Sequence, residues 1–189
     1  HAACVRRGAP DAFVIGDMPF MSYQVSTETA VANAARFLKE AGCDAVKIEG
    51  GADYAELIDR LVTCGIPVMA HVGLLPQHVL TSGGYRKTGK TEADAERIVR
   101  DAKAVEAAGA FAVVLECLQQ EVAEAITREL SIPTIGIGAG PGTDGQVQVV
   151  HDLLGLSGAG TPKHAKCYAD LYGTIRQAFE AYVRDVRSR

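Results

Sequence analysis

An α/β fold on a parallel sheet is predicted for this chain by three observations. Short Val- and Ile-rich runs alternate with longer segments at helical period. Gly42, Gly65 and Gly109 fall just past the ends of those helical segments, where a left-handed cap is favoured. Successive apolar runs finish in ionisable residues (Asp17, Glu49, His71 and Glu116), the place where parallel α/β folds open their βα loops. With 189 residues, the chain is expected to form one domain over residues 1–189, with no linker that would divide it.

Residues 12–15 are expected to form the first strand, ending in Gly16-Asp17, and residues 27–41 a capped helix with Thr27-Glu28 at its start. A second strand follows over 45–49, a helix over about 54–64, and a third strand over 68–71 that ends in His71. The segment 82–90 is Gly-rich, basic and poor in apolar residues, and reads as a long surface loop. Residues 91–108 make the most regular helix, with Glu92, Asp94 and Glu96 near its positive end. A fourth strand over 111–116, a helix over about 120–130 and a fifth strand over 133–137 lead into Gly138-Ala139-Gly140-Pro141-Gly142. The apolar run 147–150 is the sixth strand candidate, and the chain closes with helical segments between about 166 and 187. Such a series fits either an open doubly wound sheet or most of a (β/α)8 barrel, which takes about 250 residues.

Composition excludes several classes of function. A net charge of −4 offers no basic field for nucleic acid, and 6% aromatic residues with no Trp leave no stacking platform. No apolar run approaches the ~18 residues of a membrane helix, so a cytoplasmic location is the default expectation. The five cysteines lack any C-x-x-C pair and read as reduced, with Cys43, Cys64 and Cys117 as buried filler. The chain begins at His1 rather than Met, as a fragment, a processed form or a chain whose beginning is missing would.

The strand ends carry the chemistry. A single acidic residue after a strand is usually a cap or a solvated loop group, but four successive strands ending in ionisable groups point to a site. Lys47 and Glu49 lie two apart on one strand and face one way, while Val46 and Ile48 face the other. Close to Asp17, that pair is costly unless matched with each other, a cation or an anionic ligand. Asp17 and Glu49 as oxygen ligands suit Mg2+. His71 reads as a neutral hydrogen-bonding partner, a base, or a strand-end contact to a carbonyl. Glu116, after five apolar residues, sits where a partly desolvated general base would. The run Gly136-Ile137-Gly138-Ala139-Gly140 is either backbone approaching a ligand or a tight turn.

The segments GDMPFMSY (16–23), VKIEGG (46–51), HVGLLPQ (71–77), GGYRKTGK (83–90), VLEC (114–117), IGIGAG (135–140) and DGQVQVVHDLLGL (144–156) stand in an order that resembles the ketopantoate hydroxymethyltransferase family over essentially the whole chain. The resemblance implies a (β/α)8 TIM barrel of the phosphoenolpyruvate/pyruvate type with about six of its eight βα units in this chain, dependence on Mg2+, and a homo-oligomer, commonly a decamer. It implies transfer of a hydroxymethyl unit from 5,10-methylenetetrahydrofolate to 3-methyl-2-oxobutanoate through an enolate, giving ketopantoate for pantothenate synthesis. By motif, Asp17 becomes a Mg2+ ligand that also binds the oxoacid, Glu49 completes the metal site, Lys47 contacts the substrate and Glu116 is the general base. His71 lies in a family motif and is placed with the substrate-binding residues. Loop 83–90 is expected to act as a lid, with Arg86, Lys87 and Lys90 meeting the folate's glutamate carboxylates.

In that family two βα units precede the segment matching His1, and one carries a Gly-Asp-Ser motif with a further metal ligand. A six-strand remainder cannot close an eight-stranded barrel and is expected to expose sheet edges. Two readings compete with this transferase: another Mg2+-dependent C–C lyase or aldolase of the same barrel group, which folate dependence would separate, and a non-catalytic binding or assembly remnant.

Overall fold

The computed structural model describes residues 1–158 and 160–188, in two compact units, His1–Gln146 and Val147–Arg189. The first unit holds a sheet of six parallel strands: β1 (Ile15–Asp17), β2 (Ala45–Glu49), β3 (Val68–Gly73), β4 (Ala112–Glu116), β5 (Thr134–Ile137) and β6 (Gly145–Gln146). Their spatial order is the order of the sequence. A doubly wound sheet reverses direction at a switch point, whereas a barrel adds each strand beside the last, so the order decides for the barrel arrangement. Among the described residues β1 and β6 each pair on one side only, the exposed edges expected of a sheet that has not closed.

The helices are α1 (Ala2–Gly8), α2 (Thr27–Ala41), α3 (Ala55–Thr63), α4 (Glu92–Ala107) and α5 (Gln120–Glu129). Ser26 caps α2 by accepting the Thr29 N–H at 3.2 Å, and Gly42 ends it in the left-handed region at φ +70°. Thr91 caps α4 in the same way through the Asp94 N–H at 3.2 Å. Val46, Ile48, Ala70, Val72, Val113 and Leu115 turn one face of the sheet toward the helices. They form the core with Ala30 and Ala34 of α2, Ile58 and Leu61 of α3, Ile98 and Val105 of α4, and Ile126 of α5.

The structure departs from the sequence reading in four places. The first strand lies at 15–17 rather than 12–15, so Asp17 is within the ladder. The apolar run 147–150 is not a strand; β6 forms just before it, where the Asp144 carboxylate accepts the Thr134 N–H (2.9 Å) and hydroxyl (3.0 Å) and draws the chain alongside β5. Cys64 is exposed, since it caps α3 on the solvent side of the turn into Gly65, whereas Cys43 is buried and Cys117 partly so. Helix α1 buries no residue, so it carries no apolar period to read.

Arg6 fastens α1. Its guanidinium donates to the carbonyls of Gly42 (2.7 Å), Pro10 (3.0 Å) and Ala12 (2.9 Å) and pairs with the Asp44 carboxylate. The Val14 N–H, donating at 2.8 Å, and then the Arg6 guanidinium hold the Asp44 carboxyl below the usual carboxylate range. A lowered folded pKa contributes stability above the unfolded value and loses it as pH falls through the folded one. The stability difference between wild type and Asp44→Asn should therefore be full at neutral pH and shrink progressively as pH falls below about 4 in urea titrations. A difference independent of pH would show that the contact is not ionic.

The second unit contains α6 (Val150–Leu153) and α7 (Leu171–Arg187), the latter capped by the Asp170 carboxylate accepting the Gly173 N–H at 2.9 Å. No helix is long and apolar enough to cross a membrane among the described residues.

Candidate active site

The register sets the site. Asp17 lies opposite Lys47, Glu49 opposite His71, and Gly73 opposite Glu116. Residues opposite one another across a ladder, or two apart along a strand, share a face. Asp17, Lys47, Glu49, His71 and Glu116 consequently stand on the face turned away from the helices, at the C-terminal ends of β1 to β4.

Their side chains form a continuous line. Lys47 Nζ is 2.9 Å from Asp17 Oδ1, 3.7 Å from Glu49 Oε1 and 3.3 Å from His71 Nδ1. His71 Nε2 lies 3.3 Å from Glu116 Oε2, off the line of a hydrogen bond. Exposure falls and rises along the line: the side chain is 59% exposed at Asp17, 16% at Lys47, 4% at Glu49, 3% at His71 and 16% at Glu116. A positive centre is thus bracketed by two carboxylates, with a third carboxylate half-hidden across a buried imidazole. All the residues singled out from the sequence meet here, except those of loop 83–90 and the Gly138 turn. Gly140, at φ +85°, closes that turn by accepting the Gln146 side-chain amide at 3.0 Å.

Two residues that hold this line were given no role from the sequence. The Tyr23 hydroxyl accepts the Glu49 N–H at 3.1 Å and bonds Gln77 Oε1 at 3.0 Å. Gln77 donates its own N–H to Glu49 Oε2 (2.9 Å) and its side-chain amide to the Met18 carbonyl (2.9 Å). The ends of β1, β2 and β3 are tied together in this way. One oxygen of Glu49 is occupied, and the other is left facing Lys47. Tyr23 is 2% exposed, and burial pushes its phenol above the ordinary value. Tyr23 lies in a loop and Gln77 in the 3-10 turn Pro76–His78, where periodicity is silent; the sequence signal was a polar side chain within an otherwise apolar motif. Tyr23→Phe strands a buried N–H and should cost about 1–3 kcal/mol, read as a lower urea midpoint. An unchanged midpoint would mean that water replaces the hydroxyl.

Backbone geometry at the strand ends is special too. Gly73 sits at φ +99°, where an added Cβ would meet the Glu116 carbonyl oxygen at 2.4 Å, so only glycine fits beside the fourth strand. Cys117 takes φ +51° directly after Glu116, an uncommon conformation for a residue with a side chain. Its carbonyl accepts the Thr88 N–H at 2.8 Å, and the Thr88 carbonyl in turn accepts the Gln119 N–H at 3.1 Å. The far end of the long loop is thereby fastened next to Glu116.

The order of the sheet and the row of ionisable groups at its C-terminal ends define an enzyme of the α/β barrel class. Phosphonopyruvate hydrolase shares the fold, with a TM-score of 0.57 at 17% identity over 98% of this chain and 66% of that one. The sequence match is far closer to one family: the profile of ketopantoate hydroxymethyltransferase matches residues 1–189. The 3-methyl-2-oxobutanoate hydroxymethyltransferase of Thermotoga maritima is 55% identical over 187 residues, 99% of this chain and 69% of its own length. That of Syntrophus aciditrophicus is 54% identical over 188 residues, 100% of this chain and 69% of its own length. The chain belongs to the ketopantoate hydroxymethyltransferase family, a family of transferases.

Proposed function

We propose that the protein transfers a hydroxymethyl unit from 5,10-methylenetetrahydrofolate to 3-methyl-2-oxobutanoate to form ketopantoate. The observation that carries this reading is the line from Asp17 through Lys47 and His71 to Glu116, set on one face of the sheet of a chain in this family. It supplies the two things an enolisation needs: fixed positive charge for the oxoacid and a carboxylate to take a proton.

The fit to Mg2+ rests on the donor set. Asp17 and Glu49 offer hard carboxylate oxygens on the Lys47 ammonium, at 2.9 and 3.7 Å from its Nζ, and among the described residues no group of three or more His, Cys, Asp or Glu is placed to hold a metal ion. Mg2+ is commonly held by one or two carboxylates, with water and substrate oxygens completing its shell, so the two fit as its ligands. When bound, the ion supplies Lewis-acid stabilisation of negative charge on the keto oxygen.

The chain's own residues do the rest. Lys47 presents its ammonium to the anionic substrate, and Asp17 lies beside it at the exposed end of the line. Glu116 takes the proton from C3; the C–H electron pair moves into an enolate. The enolate carbon then forms the new C–C bond to the methylene carbon carried by the folate. Both C–N bonds from the folate to that carbon break; water supplies the hydroxyl oxygen, the two folate nitrogens take up the proton collected by Glu116 and one proton from the water, and tetrahydrofolate departs. Arg86, Lys87 and Lys90 of the long loop meet the glutamate carboxylates of the folate. Replacing all three with Ala should raise the folate KM with the oxoacid KM unchanged, and an unchanged folate KM would place the folate elsewhere. The same reading makes the protein a cytoplasmic homo-oligomer, a decamer in the family's pattern.

The test is proton exchange. The protein, Mg2+ and 3-methyl-2-oxobutanoate in D2O, without folate, should lose the C3 proton signal in NMR, and adding the folate should yield ketopantoate. Exchange that is absent with Mg2+ present would overturn the reading. Exchange without folate-dependent product would favour a lyase or aldolase of the same barrel group.

A further inference from the structure

His71 is enclosed between the cation and the proposed base, and its surroundings determine which nitrogen carries its proton. Lysine ammonium is a donor with no acceptor lone pair. Lys47 also lies 2.9 Å from Asp17 Oδ1 and 3.7 Å from Glu49 Oε1, two carboxylate acceptors for its other N–H groups. Its contact with His71 Nδ1 at 3.3 Å is then a hydrogen bond only if Nδ1 is the acceptor. A neutral imidazole with a bare Nδ1 carries its proton on Nε2. Nε2 is buried, makes no hydrogen bond in the structure, and lies 3.3 Å from Glu116 Oε2. Among the described residues no Lys or Arg comes within 4.0 Å of the Glu116 carboxylate, so His71 is the basic side chain that meets it.

We propose that His71 is the positioning residue of Glu116: Lys47 holds it as the Nε2–H tautomer, and a small turn of the nearby carboxylate brings one oxygen onto the Nε2–H so that the other faces the substrate. This replaces the substrate contact expected for His71 from the family motif, since a ring whose side chain is 3% exposed has little surface to offer a ligand. The inference rests on the proposed function for the identity of the base, but not for the tautomer.

Two substitutions separate the ends of the ring. The amide of Asn falls near the place of Nδ1, whereas that of Gln reaches the place of Nε2 and can donate to Glu116. For the C3 exchange reaction, His71→Asn should lower kcat by roughly 10–100-fold, His71→Gln should recover most of that loss, and the oxoacid KM should hold in both. Equal loss in the two variants, or a raised KM with kcat preserved, would overturn the proposal. Nitrogen-15 NMR of the unliganded protein gives a readout independent of turnover, with the His71 signals identified by their absence from His71→Gln. Protonated Nε2 with bare Nδ1 is expected, and protonation at Nδ1 or at both nitrogens would overturn it. If wild type shows no exchange at all, the proposed function falls, while the tautomer still decides whether Lys47 sets the ring as inferred.

Discussion

Glu116→Gln is expected to slow C3 proton exchange of 3-methyl-2-oxobutanoate by roughly 10^2–10^4-fold, the range that general-base catalysis supplies. The substitution keeps the shape of the side chain and takes away its capacity to accept a proton. Glu116 ends β4 with its side chain 16% exposed and with His71 as the basic side chain that meets its carboxylate among the described residues, so little of the fold depends on its charge. Circular dichroism and the melting temperature should therefore stay close to wild type, and oxoacid KM should move far less than kcat. A loss below tenfold would place the base elsewhere on the line.

Lys47→Met carries the other large effect, on stability. Lys47 stands between Asp17 and Glu49, and the Glu49 side chain is only 4% exposed. Removing one partner of a buried pair leaves an uncompensated charge and costs about 3–5 kcal/mol. For a chain of this length that is a fall of roughly 6–20 °C in melting temperature. If Asp17 and Glu49 hold a divalent cation, Mg2+ should raise the melting temperature of Lys47→Met more than that of wild type, because it restores the lost positive charge by binding the folded state. A variant as stable as wild type without metal would show that Glu49 is reached by water or protonated. An equal response to Mg2+ in both proteins would remove the two carboxylates as its ligands.

Much of this architecture was legible in the sequence because parallel strands buried on one face by helices write themselves as Val- and Ile-rich runs. The period of two then places Lys47 with Glu49 and against Ile48, which is how the polar face emerges before any coordinates. What stayed hidden either had no period to reveal it or carried a misleading one. Gln146-Val147-Gln148-Val149 alternates as a half-buried strand would, so the run reads as one; Val147, Val149 and Val150 are exposed, and Val150 opens a short helix instead. Tyr23, in a loop, and Gln77, in a 3-10 turn, act through a contact between residues 54 apart in sequence. The reading of His71 as a neutral partner was among those open from its strand-end position, but only the direction of Lys47 discriminates between its two nitrogens.

The fastening of Thr88 to the Cys117 carbonyl and the Gln119 amide has an engineering consequence. The long loop is pinned beside Glu116, and its outer part, with Leu80 94% and Tyr85 72% exposed, is closed separately by the Val79 carbonyl accepting the Gly84 N–H at 3.0 Å. Inserting residues between those two positions lengthens a closed segment whose ends are already set. Each doubling of such a length adds only about 0.6 kcal/mol of closure entropy. A reporter peptide or affinity tag grafted at that tip would ride on the rim of the site without disturbing the spacing beneath it.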